Sequence, residues 1–110
     1  MAANNYAASL MNLKRYGEAK VMLSKVAPVA RRVLGDNDKL ALKMRFFYAA
    51  ALYRDDDASP DDLPEAVNTL EEIERTAQRV LGGAHPLTAA IEHDVKRSRA
   101  VLRARETPNA

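Results

Sequence analysis

Cysteine and tryptophan are missing from this 110-residue chain, glycine occurs four times and histidine twice. Without cysteine there is no disulfide framework and no thiolate metal site, and no compartment can be read from redox chemistry. No apolar run approaches the ~20 residues that span a bilayer. The first residues also lack the charged, apolar and cleavage regions of a signal peptide, so the expected location is the cytoplasm. Period-two runs of strand formers are absent as well. What remains is a chain that is 47% hydrophobic and 29% charged, rich in alanine, leucine, arginine and glutamate. That bias belongs to a helix-rich protein, and the length is one domain's worth.

The net charge of +2 hides an uneven distribution. Residues 1 to 35 carry six Lys/Arg against one Glu, residues 36 to 75 five against eleven acids, and residues 76 to 110 six against three. A basic, acidic, basic order describes solvated helix faces, or a surface that steers charged partners.

Internal repetition organises the chain. "EAKVMLSKVAPVARRVLG" (Glu18 to Gly35) matches "EAVNTLEEIERTAQRVLG" (Glu65 to Gly82) at eight of eighteen positions with an offset of 47. "YAASL" from Tyr6 returns as "YAAAL" from Tyr48, 42 residues on. The difference between the offsets is an insertion in "RDDDASPDDLP". Counted from Asp55, an EF-hand loop needs Gly at 60 and Glu at 66, where the chain has Pro60 and Ala66, so a calcium loop is rejected. Ser59-Pro60-Asp61 reads instead as a helix start.

Each unit reads as two helices. In the first unit Tyr6, Ala7, Leu10 and Leu13 have helical spacing, with Gly17 as the break. Ala19, Leu23, Val26, Ala30, Val33 and Leu34 form the next stripe, ending at Gly35. Pro28, inside that helix, predicts a kink. The second unit offers a helix from Leu40 or Ala41 to Tyr53 and another from Leu63 or Pro64 to Leu81, with Asp62 and Glu65 as a capping box. A fifth helix spans Pro86 to Glu106. Its stripe of Leu87, Ile91, Val95, Ser98 and Leu102 faces the second unit. Lys96 and Arg99 stand where the earlier unit has Ala49 and Leu52, so the helix reads as a polar-faced cap. The expected domain is a single all-α helical-repeat unit over 1–106: a repeat at 2–35, a repeat at 38–82, a cap helix at 86–106, and a flexible tail at 107–110.

Ala7, Leu10, Ala19 and Leu23, and again Ala49, Leu52, Ala66 and Leu70, follow the tetratricopeptide pattern, at a period longer than its usual ~34 residues. "NNYA", "YGEA" and "RVLGGAHPLT" narrow the likeness: through Asn4, Asn5, Ala7, Tyr16, Glu18, Ala19, Leu81, Gly82, His85, Pro86 and Thr88 the chain resembles the kinesin light chain subclass. The earlier junction, "VLGDNDKLAL", keeps Leu34 and Gly35 and lacks His-Pro-x-Thr. Two units are fewer than the ~3 of a stable stack, which suggests a fragment or a divergent short member. The resemblance implies a right-handed α-solenoid of stacked antiparallel helix hairpins, binding a partner peptide or protein in its concave groove.

With Ala7 and Ala49 as the close-contact positions, the groove is expected to hold Asn4, Ala8, Met11 and Asn12, then Phe46, Ala50, Tyr53 and Arg54, then His93 and Arg97 on the cap. Amides, aromatics, a methionine and cations suit an extended or helical peptide with acidic and apolar side chains. Two other readings stand beside it. Nucleic acid could meet Lys96, Arg99 and Arg103, although no interleaved aromatic offers base stacking. Self-association could use the outer face of the first helix to form a homodimer. Enzyme chemistry finds no constellation: His85 and His93 lack a third ligand, and no serine sits on a strand-to-helix elbow. The phosphate-loop alternative for "RVLGGAHPLT" lacks its lysine and its strand, and His85 is expected to hold that turn by a local hydrogen bond. No catalytic residue, cofactor or metal is expected.

Overall fold

A left-handed residue follows the first, second and fourth helices of this chain, and side chains accept backbone N–H groups at the starts of the third, fourth and fifth. The computed structural model describes residues 2–106, and the tail expected at 107–110 lies outside them. Among the described residues it contains five helices and no strand: α1 (Ala2–Asn12), α2 (Tyr16–Leu34), α3 (Lys39–Arg54), α4 (Asp62–Val80) and α5 (Pro86–Glu106). The five helices expected from periodicity are all present.

The junctions after α2 and after α4 share a left-handed glycine and a side-chain-capped helix start built from different residues. Gly35 and Gly82 adopt positive φ (95° and 88°), which only glycine adopts without steric cost. The Asp38 N–H donates to Gly35 O and the His85 N–H to Gly82 O, both at 3.3 Å. Then Asp38 Oδ1 accepts from Leu40 N and Ala41 N at 2.9 and 3.0 Å, while His85 Nδ1 accepts from Leu87 N at 3.0 Å. Asp38 thus takes the capping position of His85, 47 residues earlier, and the local hydrogen bond expected of His85 is formed. A carboxylate and a neutral imidazole perform the same task, satisfying N–H groups that a helix start leaves unpaired.

Two expectations at helix ends change. Gly17 is not the break: it lies in the first turn of α2, and the chain turns at Leu13 to Arg15. There Lys14 has φ 59°, and Arg15 N donates to Leu10 O and Lys14 N to Met11 O. This is a Schellman termination with lysine where glycine is preferred. Asp62 and Glu65 do not form a capping box. Ser59 and Asp62 do, with Ser59 N donating to Asp62 Oδ2 (3.1 Å) and Asp62 N to Ser59 Oγ (3.3 Å). Burial pushes the Asp62 carboxyl up, but Lys20 and the Ser59 N–H outweigh burial and hold it below the usual carboxylate range. At Pro28, α2 is uninterrupted. The missing N–H leaves the Ser24 carbonyl without its helical donor, on an exposed side of the helix.

α3 is the central element, packing against all four other helices, and Ala41, Ala49, Ala50 and Ala51 let neighbours approach. Around it, Leu23, Leu42, Met44, Leu52, Leu63, Leu70, Ile73, Ile91 and Val95 form one core. Each large side chain so buried contributes about 1.5–3 kcal/mol. α3 and α4 run antiparallel, joined by Tyr48 to Glu65 and Arg45 to Glu72. α4 and α5 do likewise through Glu71 to Arg99 and Gln78 to Glu92. α1 and α3 pack directly, as do α3 and α5, whereas α2 and α4 have no backbone contact. Side chains alone bridge α2 and α4, in parallel register, through Lys20 to Asp62 and Arg31 to Glu72, and Asn37 in the turn after α2 accepts from Arg79 of α4.

The periodic stripes are buried only in part. On α1, Ala7 and Leu10 are interior, while Tyr6 and Leu13 are 55% and 63% exposed. On α2, Val33 and Leu34 fall outside the core. On α5 the buried face includes Thr88 and Asp94, which the stripe omitted. Lys96 and Arg99 are exposed.

Lys14→Gly removes a left-handed strain of about 1 kcal/mol without losing a core contact. The expected outcome is a melting temperature a few degrees higher, measured by circular dichroism; a lower value would show that Lys14 is not held in this conformation.

Candidate functional site

Helical spacing places Lys39, Lys43, Phe46 and Phe47 on one face of α3. Opposite them stand His85, Pro86, Leu87 and Ala90 from the first turns of α5. Together they enclose an open, mainly apolar recess of about 350 Å³, to which neither α2 nor α4 contributes. The Phe46 and Phe47 rings lie 5.8 Å apart at 34°, and Lys43 Nζ stands 6.0 Å from the Phe47 ring centre. Phe46 is buried while Phe47 is half-buried. The recess therefore has an aromatic wall with ammonium groups on its rim, where an apolar side chain flanked by carboxylates would be matched. The His85 cap fixes the α5 start that forms the opposite wall.

The eight residues expected to bind a partner are distributed unevenly about this face. Asn4, Met11 and Asn12 lie on α1, Phe46, Tyr53 and Arg54 on α3, and His93 and Arg97 on α5. Their helices are neighbours through α3. Met11, Phe46 and Tyr53 belong to the hydrophobic core. Asn12, His93 and Arg97 are exposed. Asn4 is half-buried, and its Oδ1 is sealed from solvent without a hydrogen-bond partner. Of the two alanines in the same pattern, Ala50 is buried and Ala8 half-buried.

Arg54 is occupied. Its Nη2 donates to Asp94 Oδ2 at 2.8 Å, its Nε to the Tyr53 hydroxyl at 3.4 Å, and its guanidinium lies 5.7 Å from the Tyr53 ring centre. Asp94 is 1% exposed, and Arg54 gives this buried carboxylate a charged partner. Burial pushes the Tyr53 phenol up to about 12, with Asp94 adding to that and Arg54 opposing it. Tyr48, donating to Glu65 Oε2 at 2.9 Å, is likewise pushed to about 12 by burial and then by that carboxylate.

Sequence reasoning missed Lys39, Lys43 and Phe47. The adjacent phenylalanines, one turn beyond Lys43 and 38 to 40 residues before His85 and Pro86, were the available signal. It missed Asp94 as well, whose partner is forty residues away. On the last helix, Arg99 Nε and Nη2 both donate to Glu71 Oε2, which engages one cation of the face considered for nucleic acid. Among the described residues no cluster of acids and histidines could hold a metal ion, and no helix is long and apolar enough to cross a membrane. Comparisons with protein-family models, curated proteins and solved structures give no match, so geometry and chemistry carry the functional reading.

For Tyr48 and Tyr53 the folded value lies above the unfolded phenol's, near 10. The stabilisation of the neutral phenols is therefore complete below about pH 10 and is lost as the pH rises towards 12. An alkaline titration at 295 nm should show two tyrosines ionising only around pH 12, together with unfolding seen by circular dichroism. All four ionising near pH 10 in the folded chain would contradict the burial described.

Proposed function

We propose that this chain is a non-enzymatic binding module: a short right-handed solenoid of two tetratricopeptide-like units and a capping helix, of the kinesin light chain-like kind, that holds a peptide on the face formed by α1, α3 and α5. The observation that carries this reading is the apolar, lysine-rimmed recess between α3 and α5. His85 and Pro86, two of the residues through which the chain resembles that subclass, themselves line it. The direct packing of the odd-numbered helices, against the open separation of α2 from α4, supports a curvature with this face inside. The ligand is a segment with an apolar anchor beside acidic side chains, matched to Phe47, Leu87, Lys39 and Lys43.

A peptide-library selection on the immobilised chain should enrich such segments. Lys39→Glu with Lys43→Glu, both outside the core, should weaken the selected peptides at least tenfold, about 1.4 kcal/mol, with the melting temperature unchanged. Equal affinity in the double variant removes the recess from the binding surface.

A second reading rests on the exposed apolar side chains of the first unit, Tyr6, Leu13, Val21 and Val33, at 55–70% exposure. Such a patch favours a second copy of the chain joined about a two-fold axis. Sedimentation equilibrium should then show a dimer that Val21→Glu converts to monomer; a monomer at high micromolar concentration excludes it.

A further inference from the structure

The side of the molecule away from the recess carries a second and larger cleft. It lies between α2 and α4, is floored by α3, and has a volume of about 560 Å³, within the range of small-ligand sites. The gap exists because Ser24, Ala27 and Thr69 are too small to close it. Lys20 to Asp62 bridges the two helices at one end and Arg79 to Asn37 at the other.

The polar groups inside it are unequally satisfied. Arg45 rises from the floor and is only 8% exposed. Its Nη2 donates to Glu72 Oε1 at 2.9 Å, and Arg31 donates to that same oxygen at 3.3 Å. The remaining Arg45 nitrogens bond to no described residue and are not sealed from solvent, so their donors open into the cleft. Arg32 lines the same end without an ion pair among the described residues. Arg31 is shared with Asp36, a carboxylate at the exposed rim. Three guanidinium groups, Arg31, Arg32 and Arg45, line the cleft with three carboxylates, Asp36, Glu65 and Glu72. Glu65 accepts from the Tyr48 hydroxyl. Arg31 takes Asp36 and shares Glu72 with Arg45, so no carboxylate in the cleft is paired with Arg32. The other surface of the cleft, from Leu23, Ala27 and Pro28, is apolar.

We propose that this cleft binds a small amphipathic oxyanion, a carboxylate or phosphate on an apolar body, with Arg45 and Arg32 receiving the anionic group and the Leu23–Pro28 surface receiving the body. A guanidinium that is buried and held, as Arg45 is, suits planar or tetrahedral oxyanions, with the exposed Arg32 as the second cation. Arg45 is held in place by the Glu72 contact before a ligand arrives, so its free N–H edge is already directed. The site is distinct from the α3–α5 recess and does not rest on the binding function proposed there.

The full chain is titrated with benzoate and, separately, with phenyl phosphate, following the arginine Nε–Hε resonances and the α2 and α4 amides by NMR. The expected result is saturable shifts centred on Arg45 and Arg32, at about millimolar Kd or tighter; the probe that saturates first identifies the oxyanion. Arg45→Gln should raise that Kd at least tenfold. Because it also strands Glu72, Ser24→Leu serves as the second variant: it fills the cleft, alters no charge, and should raise the Kd equally with helicity intact. Arg97→Ala, on α5 outside the cleft, and the lysine variants of the recess should leave it unchanged. Shifts that fail to saturate with either probe, that spread evenly over exposed arginines, or that survive Ser24→Leu in the folded chain overturn the proposal.

Discussion

Close approach to α3 is the constraint on which the structure depends. This helix is touched from every side, and ten of its sixteen residues are buried, so its surface has almost no room for a face of its own. Alanine solves the problem by volume: Ala41, Ala49 and Ala51 are fully inaccessible, and larger residues there would push partners apart at the cost of overpacking, about 1–3 kcal/mol per site. Leu42, Met44 and Leu52 fill what the alanines leave. Even the charged Arg45 is drawn inward and given a carboxylate, since a buried guanidinium without one is costly.

That same crowding explains which parts of the molecule were legible from the residues. Helix number and most boundaries follow from the 47-residue self-similarity, because a repeated pattern of alanine and leucine can be satisfied only by a repeated packing geometry. The junctions were half legible. Gly35 and Gly82 announce their turns, yet the equivalence of Asp38 with His85 is hidden by their different chemistry and emerges only from shared hydrogen bonds. Lys14 carries no signal at all, since a strained lysine looks like any surface lysine. Gly17 misleads because glycine in a first helical turn is tolerated.

The candidate surface was harder to read. Offsets counted from Ala7 and Ala49 assume that neighbouring helices stop short of those side chains. Met11, Phe46 and Tyr53 are instead enclosed by the helices that lean on them, and Arg54 is captured by Asp94. Pairings across forty residues have no local pattern to betray them. The two faces that remain accessible differ in kind: one is aromatic with ammonium groups at its edge, the other lined by three guanidinium groups and three carboxylates beside an apolar wall.

Arg105, near the end of α5, donates to the backbone carbonyls of Ala58 and Asp56 at 3.1 and 3.2 Å, reaching past α4 to the acidic connection between α3 and α4. Together with Arg54 to Asp94 it ties the last helix to two points in the middle of the chain. α1, by contrast, buries Ala7, Leu10 and Met11 and among the described residues takes no part in any such long-range tie. Here the asymmetry of attachment gives loss of structure a direction, from α1 inwards, with α5 bound into the most cooperative part of the molecule.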